Sequence, residues 1–251
     1  MDALDRLADF VSRAGCVVAL TGAGVSTASG IPDFRSPGSG LWSKVDPAQV
    51  ASIEAFRDDP ARFWSFYAQR FAGLVAAHPN AAHHALARME SIGRLHGVVT
   101  QNIDRLHAKA GTRLLAEVHG SVDRAECLSC GAAFPGSRLL ASLAERPAVP
   151  PECDCGAPLK PGVVLFGEML PEAEMDKAVA WARAADLMIV AGTSLQVWPV
   201  AGLPEITLEY GGAVAILNDS PTPLDDHAVV VDRSPVEESL PRLVESVEAL
   251  G

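Results

Sequence analysis

Apolar and polar positions along the chain fall into two alternating patterns. Short runs of mostly apolar residues stand at Val17–Thr21, Gly97–Thr100, 163–166, Leu187–Ala191 and Ala213–Leu217, without polar alternation. Runs of this length predict strands buried on both faces of a parallel sheet. Between them, as at 81–92 and 171–184, apolar residues recur with the period of an amphipathic helix. Strands alternating with helices predict a doubly wound, Rossmann-like α/β fold, which binds its ligands beyond the carboxyl ends of the strands.

The strand ends collect the unusual residues. Val17–Thr21 runs into Gly22-Ala-Gly-Val-Ser-Thr-Ala-Ser-Gly30. Glycines there let the backbone turn tightly and approach a pyrophosphate, with a helix N-terminus aimed at the anion; the pattern is a GAG variant of the dinucleotide fingerprint. Ala191-Gly-Thr-Ser194 repeats the design, offering hydroxyls and N–H groups to phosphate or ribose. The strand ending at Leu217 delivers Asn218, where such folds place a side chain for a ribose hydroxyl. Gly97–Thr100 leads into Gln101, Asn102, Ile103 and Asp104, polar groups that can hold a ribose and a carboxamide. Asp104 has a second reading as a helix N-cap, which needs no ligand.

Four of the five cysteines lie close together: Cys127-Leu-Ser-Cys130 and, after 22 residues, Cys153-Asp-Cys155. Two close pairs predict a structural zinc site, since each knuckle offers two thiolates and four thiolates leave no position open for water. The segment between, rich in Pro, Gly and Ala, has little core of its own, so metal binding supplies folding energy. Cys16, in an apolar stretch, reads as a core residue of a strand. His119 follows the apolar stretch 114–118 and has the ordinary pKa of a general base near neutral pH. His78, His83, His84, His96, His107 and His227 read as surface or packing residues.

Composition narrows the classes. With 49% hydrophobic residues in 251 the chain can bury a sizeable core. No apolar run approaches the ~18 residues of a membrane helix, and the acidic N-terminus lacks a signal pattern. A net charge of -11 speaks against a phosphate-tracking surface. The expectation is a cytoplasmic protein with no membrane and no direct nucleic-acid partner.

In order, Gly22-Ala-Gly-Val-Ser-Thr-Ala-Ser-Gly-Ile-Pro-Asp-Phe-Arg35, Thr100-Gln-Asn-Ile-Asp104, His119-Gly120 and Gly192-Thr-Ser194 resemble the motifs of the sirtuins, with the cysteine pairs between the third and fourth. The resemblance implies an NAD-dependent protein lysine deacylase that transfers the acyl group to ADP-ribose and releases nicotinamide. It implies that Gly22, Ala23, Gly24, Thr27, Asp33, Phe34 and Arg35 lie along NAD, with Phe34 in a lid over the nicotinamide ribose. Gln101, Ile103 and Asp104 would position that ribose and the nicotinamide, and Gly192, Thr193, Ser194 and Asn218 the phosphate and adenosine ribose. His119, as general base, and Asn102 are the implied catalytic residues, and Cys127, Cys130, Cys153 and Cys155 the ligands of one zinc ion. Val163, Leu165, Phe166 and Gly167 would take an acylated lysine of a protein as an extended peptide. The implied layout is a large Rossmann-like domain over 1–35, 80–120 and 160–251, a helical insertion at 36–79 and an inserted zinc-binding module at 121–159.

A helix expected over 61–71 carries Tyr67 and Arg70 on one face. In the sirtuin subgroup that removes succinyl and malonyl groups, a Tyr-x-x-Arg pair occupies the place reached by aligning on Pro79-Asn80 and His83. A guanidinium can grip a carboxylate bidentately while a phenol completes the contact. The plainer reading is a core tyrosine beside a solvated arginine, and Phe71 stands where the subgroup often has a second arginine. An alternative activity on the same fold is mono-ADP-ribosyl transfer or NAD hydrolysis; the matches at Asn102, Asp104 and His119 speak against it.

Overall fold

A computed structural model describes residues 2–33, 46–146 and 149–250. The chain runs through α1 (Ala3–Arg13), β1 (Val17–Thr21), α2 (Pro47–Val50), α3 (Ile53–Asp58), α4 (Pro60–Ala76), α5 (Ala81–Ser91) and β2 (Gly97–Thr100). It continues through α6 (Leu106–Ala110), β3 (Leu115–Glu117), β4 (Gly120–Cys127), β5 (Ala133–Pro135), α7 (Gly136–Glu145) and β6 (Leu159–Val163). The last elements are α8 (Glu172–Ala184), β7 (Leu187–Ala191), α9 (Leu203–Glu209), β8 (Ala213–Leu217), β9 (Val230–Asp232) and α10 (Val236–Leu250).

The main sheet is parallel throughout, in the order β3-β2-β1-β7-β8-β9. The chain builds outward from β1 on one side and then returns to its other side with β7. That reversal opens a crevice at the carboxyl ends, where doubly wound folds bind nucleotides. Alternation within β1 explains why the sheet needs two covers. Val17 and Ala19 join a core with Leu7 and Val11 of α1, Leu86 and Met89 of α5, and Leu240 and Leu243 of α10. Val18 and Leu20 face Ala178 and Ala182 of α8 and Leu203 of α9. Each buried Val, Leu or Met among them contributes about 1.5–3 kcal/mol, so a central strand such as β1 cannot carry a polar face.

A smaller antiparallel sheet, β5-β4-β6, packs with α7 against the aromatic face of α4. Phe63, Trp64 and Phe71 share that core with Val122, Leu139 and Leu159, and the indole N–H of Trp64 donates to the Leu159 carbonyl at 3.0 Å. Among the described residues no helix is long and apolar enough to cross a membrane.

The structure differs from expectation in four places. The apolar run 163–166 is not a strand of the parallel sheet: Val163 ends β6, antiparallel to β4, and Val163 and Leu165 face the aromatic core instead. An apolar run reports burial on both sides without saying what covers it. Two strands of the main sheet, β3 and β9, were not expected: both are edge strands of three residues, and each ends on an acidic residue. Cys16 is not a strand core residue; it is half-buried just before β1, its carbonyl accepting from the N–H groups of Asp186 and Leu187. The helix expected over 61–71 is part of the longer α4, which starts at Pro60 after an Asp59 cap.

Candidate active site at the strand ends and a four-cysteine cluster

Strand register brings the expected residues together. Thr21 pairs with both Thr100 and Ala191, and Ala191 pairs with Leu217, so Gly22, Gln101, Gly192 and Asn218 leave the sheet side by side. After Gly22 the chain turns into a short helix of the 3-10 type, Ala23–Ser29, packed directly on the Gly192 turn. A Cβ on Gly24 would lie 2.8 Å from the Gly192 Cα, so two backbones meet where side chains would intervene. Such bare backbone beside hydroxyl and amide groups suits a pyrophosphate. Gln101 Nε2 donates to Thr193 Oγ1 at 3.0 Å, linking two strand ends across the crevice. Ser194 is half-buried. Asn218 is buried, its Nδ2 donating to the Ser220 carbonyl at 2.7 Å. Ala23 is half-buried and Thr27 exposed, its hydroxyl bonded locally to the Gly24 carbonyl. Asp33 closes the first described segment; Phe34 and Arg35 lie outside the described residues.

Below this loop a hydrogen-bond chain fixes Asn102 and Asp104. The Asn102 amide Nδ2 donates to the Gly22 carbonyl and to Ser26 Oγ, both at 3.0 Å. Ser26 Oγ in turn donates to Asp104 Oδ2 at 2.7 Å, while Asp104 Oδ1 accepts the Leu106 N–H at 2.8 Å. The N-cap of α6 is Arg105, so Asp104 is not its cap: one Asp104 oxygen accepts the first amide of α6 and the other holds the glycine-loop serine. Burial pushes the Asp104 pKa up, against the pull of the Leu106 N–H, the Ser26 hydroxyl and Lys109. Ile103 is half-buried beside the aromatic core. Arg105, which follows Asp104, has left-handed backbone, φ 66°, and pairs with Glu117 and Asp123, tying the loop to the strands flanking His119.

His119 stands between β3 and β4, half-buried, with Nδ1 2.9 Å from the Gln101 carbonyl. A carbonyl only accepts, so Nδ1 carries the hydrogen and Nε2 keeps its lone pair. Burial lowers the His119 pKa, partly offset by that hydrogen bond, and so keeps the ring neutral near neutral pH. A neutral, oriented imidazole with one free nitrogen is equipped to accept a proton.

From sequence, His83 and His107 read as surface or packing residues, and Ser26 carried no assigned role. All three are buried, His83 and His107 beneath the glycine loop and Ser26 within it. The Asn80 N–H donates to His83 Nδ1 at 3.3 Å, leaving the His83 Nε2 hydrogen for Ser26 Oγ at 3.4 Å. His107 Nε2 meets Thr21 Oγ1 at 2.9 Å. A histidine three residues past the Asn80 cap was the available signal for His83; His107 offered none.

On α4, Tyr67 is half-buried against Phe63, with ring centroids 4.6 Å apart, in the apolar cluster that also holds Ile103, Val163 and Leu165. Burial raises its pKa to about 12, opposed by Arg70. Arg70 is exposed and lies over the Phe66 ring, 3.7 Å from its centroid, while donating to the Phe66 carbonyl. The segment after β6 is held from both sides: Val164 N–H donates to the His119 carbonyl at 2.9 Å and Phe166 N–H to the Ala51 carbonyl at 2.9 Å. Phe166 and Gly167 are exposed.

The four cysteines converge. Their sulfurs all lie within 4.8 Å of one another, with Cys127 and Cys155 3.5 Å and Cys130 and Cys153 3.6 Å apart. Zinc–sulfur bonds of ~2.3 Å in a tetrahedron set sulfurs just under 4 Å apart, so the cluster fits one zinc ion with no ligand to spare. It belongs to the small sheet, away from the crevice, and serves structure.

Fold and site define a dinucleotide-binding α/β protein with a cysteine-ligated module. The chain belongs to the Sir2 family, whose profile matches residues 22–199. It is similar to the NAD-dependent protein deacetylase of Saccharolobus solfataricus, 45% identical over 243 residues, covering 97% of this chain and 96% of the relative. A solved Sir2 enzyme is 39% identical, with a TM-score of 0.93 over 100% of this chain and 99% of its own. A Sir2 complex with a p53 peptide and NAD+ is 36% identical, with a TM-score of 0.89 over 100% of both chains.

Proposed function

We propose that this chain removes acyl groups from protein lysine side chains at the expense of NAD, with His119 as general base. We further propose that Tyr67 and Arg70 extend its range from acetyl to succinyl and malonyl groups. NAD dependence and deacylation follow from membership of the family; the observation that carries the assignment of residues is His119 itself. Its Nδ1 hydrogen is committed to the Gln101 carbonyl, and its neutral Nε2 stands at the strand ends where Asn102 and Asp104 are locked in place.

NAD supplies the electrophilic ribose carbon that takes the acyl oxygen as nicotinamide leaves. The bare backbone at Gly22, Gly24 and Gly192 receives the pyrophosphate, and Thr193, Ser194 and Asn218 the adenosine side. Gln101, Asn102, Ile103 and Asp104, all buried or half-buried, hold the nicotinamide ribose where fixed polar groups act strongly. His119 Nε2 takes up the proton released from a ribose hydroxyl. The peptide lies along Val163, Leu165, Phe166 and Gly167, recognised through its main chain, so that flanking sequence matters little.

Support for the acidic-acyl range is the position of Tyr67 in one cluster with Ile103, Val163 and Leu165, with Arg70 one helical turn on. Rotation of the Arg70 side chain off Phe66 brings a guanidinium toward an acyl carboxylate, a bidentate pairing that an acetyl group cannot make. The test is acyl loss from matched acetyl-lysine and succinyl-lysine peptides with and without NAD, followed by mass spectrometry. NAD-dependent loss, abolished in His119→Ala, is the expected result. Arg70→Met removes desuccinylation and spares deacetylation; equal effects on both peptides would sink the carboxylate grip. NAD cleaved with no acyl loss would favour ADP-ribosyl transfer or hydrolysis.

A further inference from the structure

Lys160 is an anomaly. Its side chain is only 3% exposed, although lysine is the residue that most readily keeps its ammonium in water. It sits on β6 opposite Glu126 of β4, one residue from the zinc-cluster ligand Cys127. Its Nζ lies 2.9 Å from Glu126 Oε1, 3.0 Å from Glu168 Oε2, 2.9 Å from the Val163 carbonyl and 3.2 Å from the Pro161 carbonyl. An ammonium has three hydrogens, and here four acceptors compete for them.

Of those acceptors, the Pro161 and Val163 carbonyls belong to β6 and Glu168 lies on the stretch that leaves it. Glu168 is itself built into it: its Oε2 accepts the Leu165 N–H at 2.8 Å, and its own N–H donates to the Leu165 carbonyl at 3.0 Å. The turn 165–168 is thus closed by backbone and side chain together, and Lys160 clamps the closed turn to β4. The same turn presents Phe166 and Gly167 to solvent, and the residue leading into it, Val164, bonds to the His119 carbonyl.

We propose that Lys160 is a positioning residue for the acylated peptide: its buried ammonium holds 163–168 at the height and angle at which a peptide main chain can pair. The proposal rests on the reading that this segment binds the substrate. Its consequence is selective. A peptide binding to a loosened edge must order that edge first, which weakens binding. The nucleotide crevice is built from other strand ends and does not depend on Lys160. Chemistry, once the peptide is seated, proceeds from the same His119.

The variants are Lys160→Met, which removes the charge but keeps the apolar stem; Lys160→Arg, which restores the charge; and Glu168→Gln, which keeps an acceptor for Leu165 but drops the ion pair. Steady-state rates across peptide concentration at saturating NAD, NAD binding by calorimetry and thermal unfolding are measured on each. Lys160→Met is expected to raise peptide KM roughly tenfold, with kcat within about threefold and NAD affinity retained. Lys160→Arg recovers most of the loss, and Glu168→Gln raises KM in the same direction. If Lys160→Met fails to fold, Glu168→Gln decides. An active wild type whose peptide KM is unmoved in the folded variants, or whose kcat alone falls, overturns the role of Lys160. A wild type inert toward acyl-lysine peptides overturns the functional reading as well.

Discussion

Acid should destabilise this fold through two imidazoles sealed behind the nucleotide site. His107 is 1% exposed, and burial, helped by His83, pushes its pKa down to about 3. His83 is 0% exposed, and burial, helped by His84, lowers its pKa to about 4. For His107 the cause is visible in atoms: Nε2 meets Thr21 Oγ1 at 2.9 Å, and Nδ1 has no hydrogen-bond partner, so an added proton finds neither water nor an acceptor. In the unfolded chain both rings titrate near the ordinary value of about 6.5. Above that pH neither state takes the proton, and the full stability is present. Below it the unfolded chain is protonated while the native rings stay neutral, so stability drains away at up to about 1.4 kcal/mol per pH unit per ring. For His107 the loss continues until the pH reaches its folded pKa of about 3, and then stops. Between about pH 7 and about pH 5 each ring costs about 2 kcal/mol, and the pair about 4 kcal/mol.

The assay is urea unfolding of the wild type and His107→Gln at both pH values. Carboxylates titrate in both proteins, so the difference between them isolates one ring. The carboxamide introduced by His107→Gln keeps a group that can bond Thr21 and carries no titrating nitrogen. The stability gap between the two proteins should shift by about 2 kcal/mol in the variant's favour on going to about pH 5. A gap independent of pH would mean that the native ring takes up the proton as readily as the unfolded one, and the reasoning would be refuted.

Four further outcomes are expected. Metal analysis should find one zinc per chain, and Cys155→Ser or a strong chelator should unfold the small sheet, since ~10–16 kcal/mol of binding free energy is also folding free energy at such sites. His119→Ala should lower kcat by roughly two to four orders of magnitude with NAD binding retained. In the wild type, activity should fall with acid through a pKa below the ordinary imidazole value, because burial favours the neutral base. Gly120→Ala should cost more than about 2 kcal/mol by urea unfolding, because its φ is +74° and the new methyl would lie 2.2 Å from the Gly162 carbonyl oxygen.

Elements whose chemistry is local were legible in the amino-acid order alone. The middle strands were legible because a strand covered on both faces has to be apolar without interruption, as β1, β7 and β8 are. The cysteine module was legible because four thiolates arrive as two knuckles, each encoded within a few residues. Glycines at 22, 24 and 192 announced a backbone that approaches something closely, and His119 was marked by its place between apolar stretch and glycine.

Tertiary structure decided what depends on a distant partner. Nothing near His107 says that Thr21, 86 positions earlier, will seal it from water. Ser26 becomes a hinge of the site only because strand order brings Asn102 and Asp104, 76 and 78 positions away, beside it. The run 163–166 is apolar in either reading, and whether it joins the parallel sheet or covers the aromatic face of α4 depends on the hairpin formed by β4 and β6. Nothing near Lys160 in sequence says that Glu126 and Glu168 will close over it. Periodicity and motif spacing encode which face of an element is dry and which ligand it suits. Burial of a polar group is a property of pairs, and the pairs are made only when the chain folds back on itself.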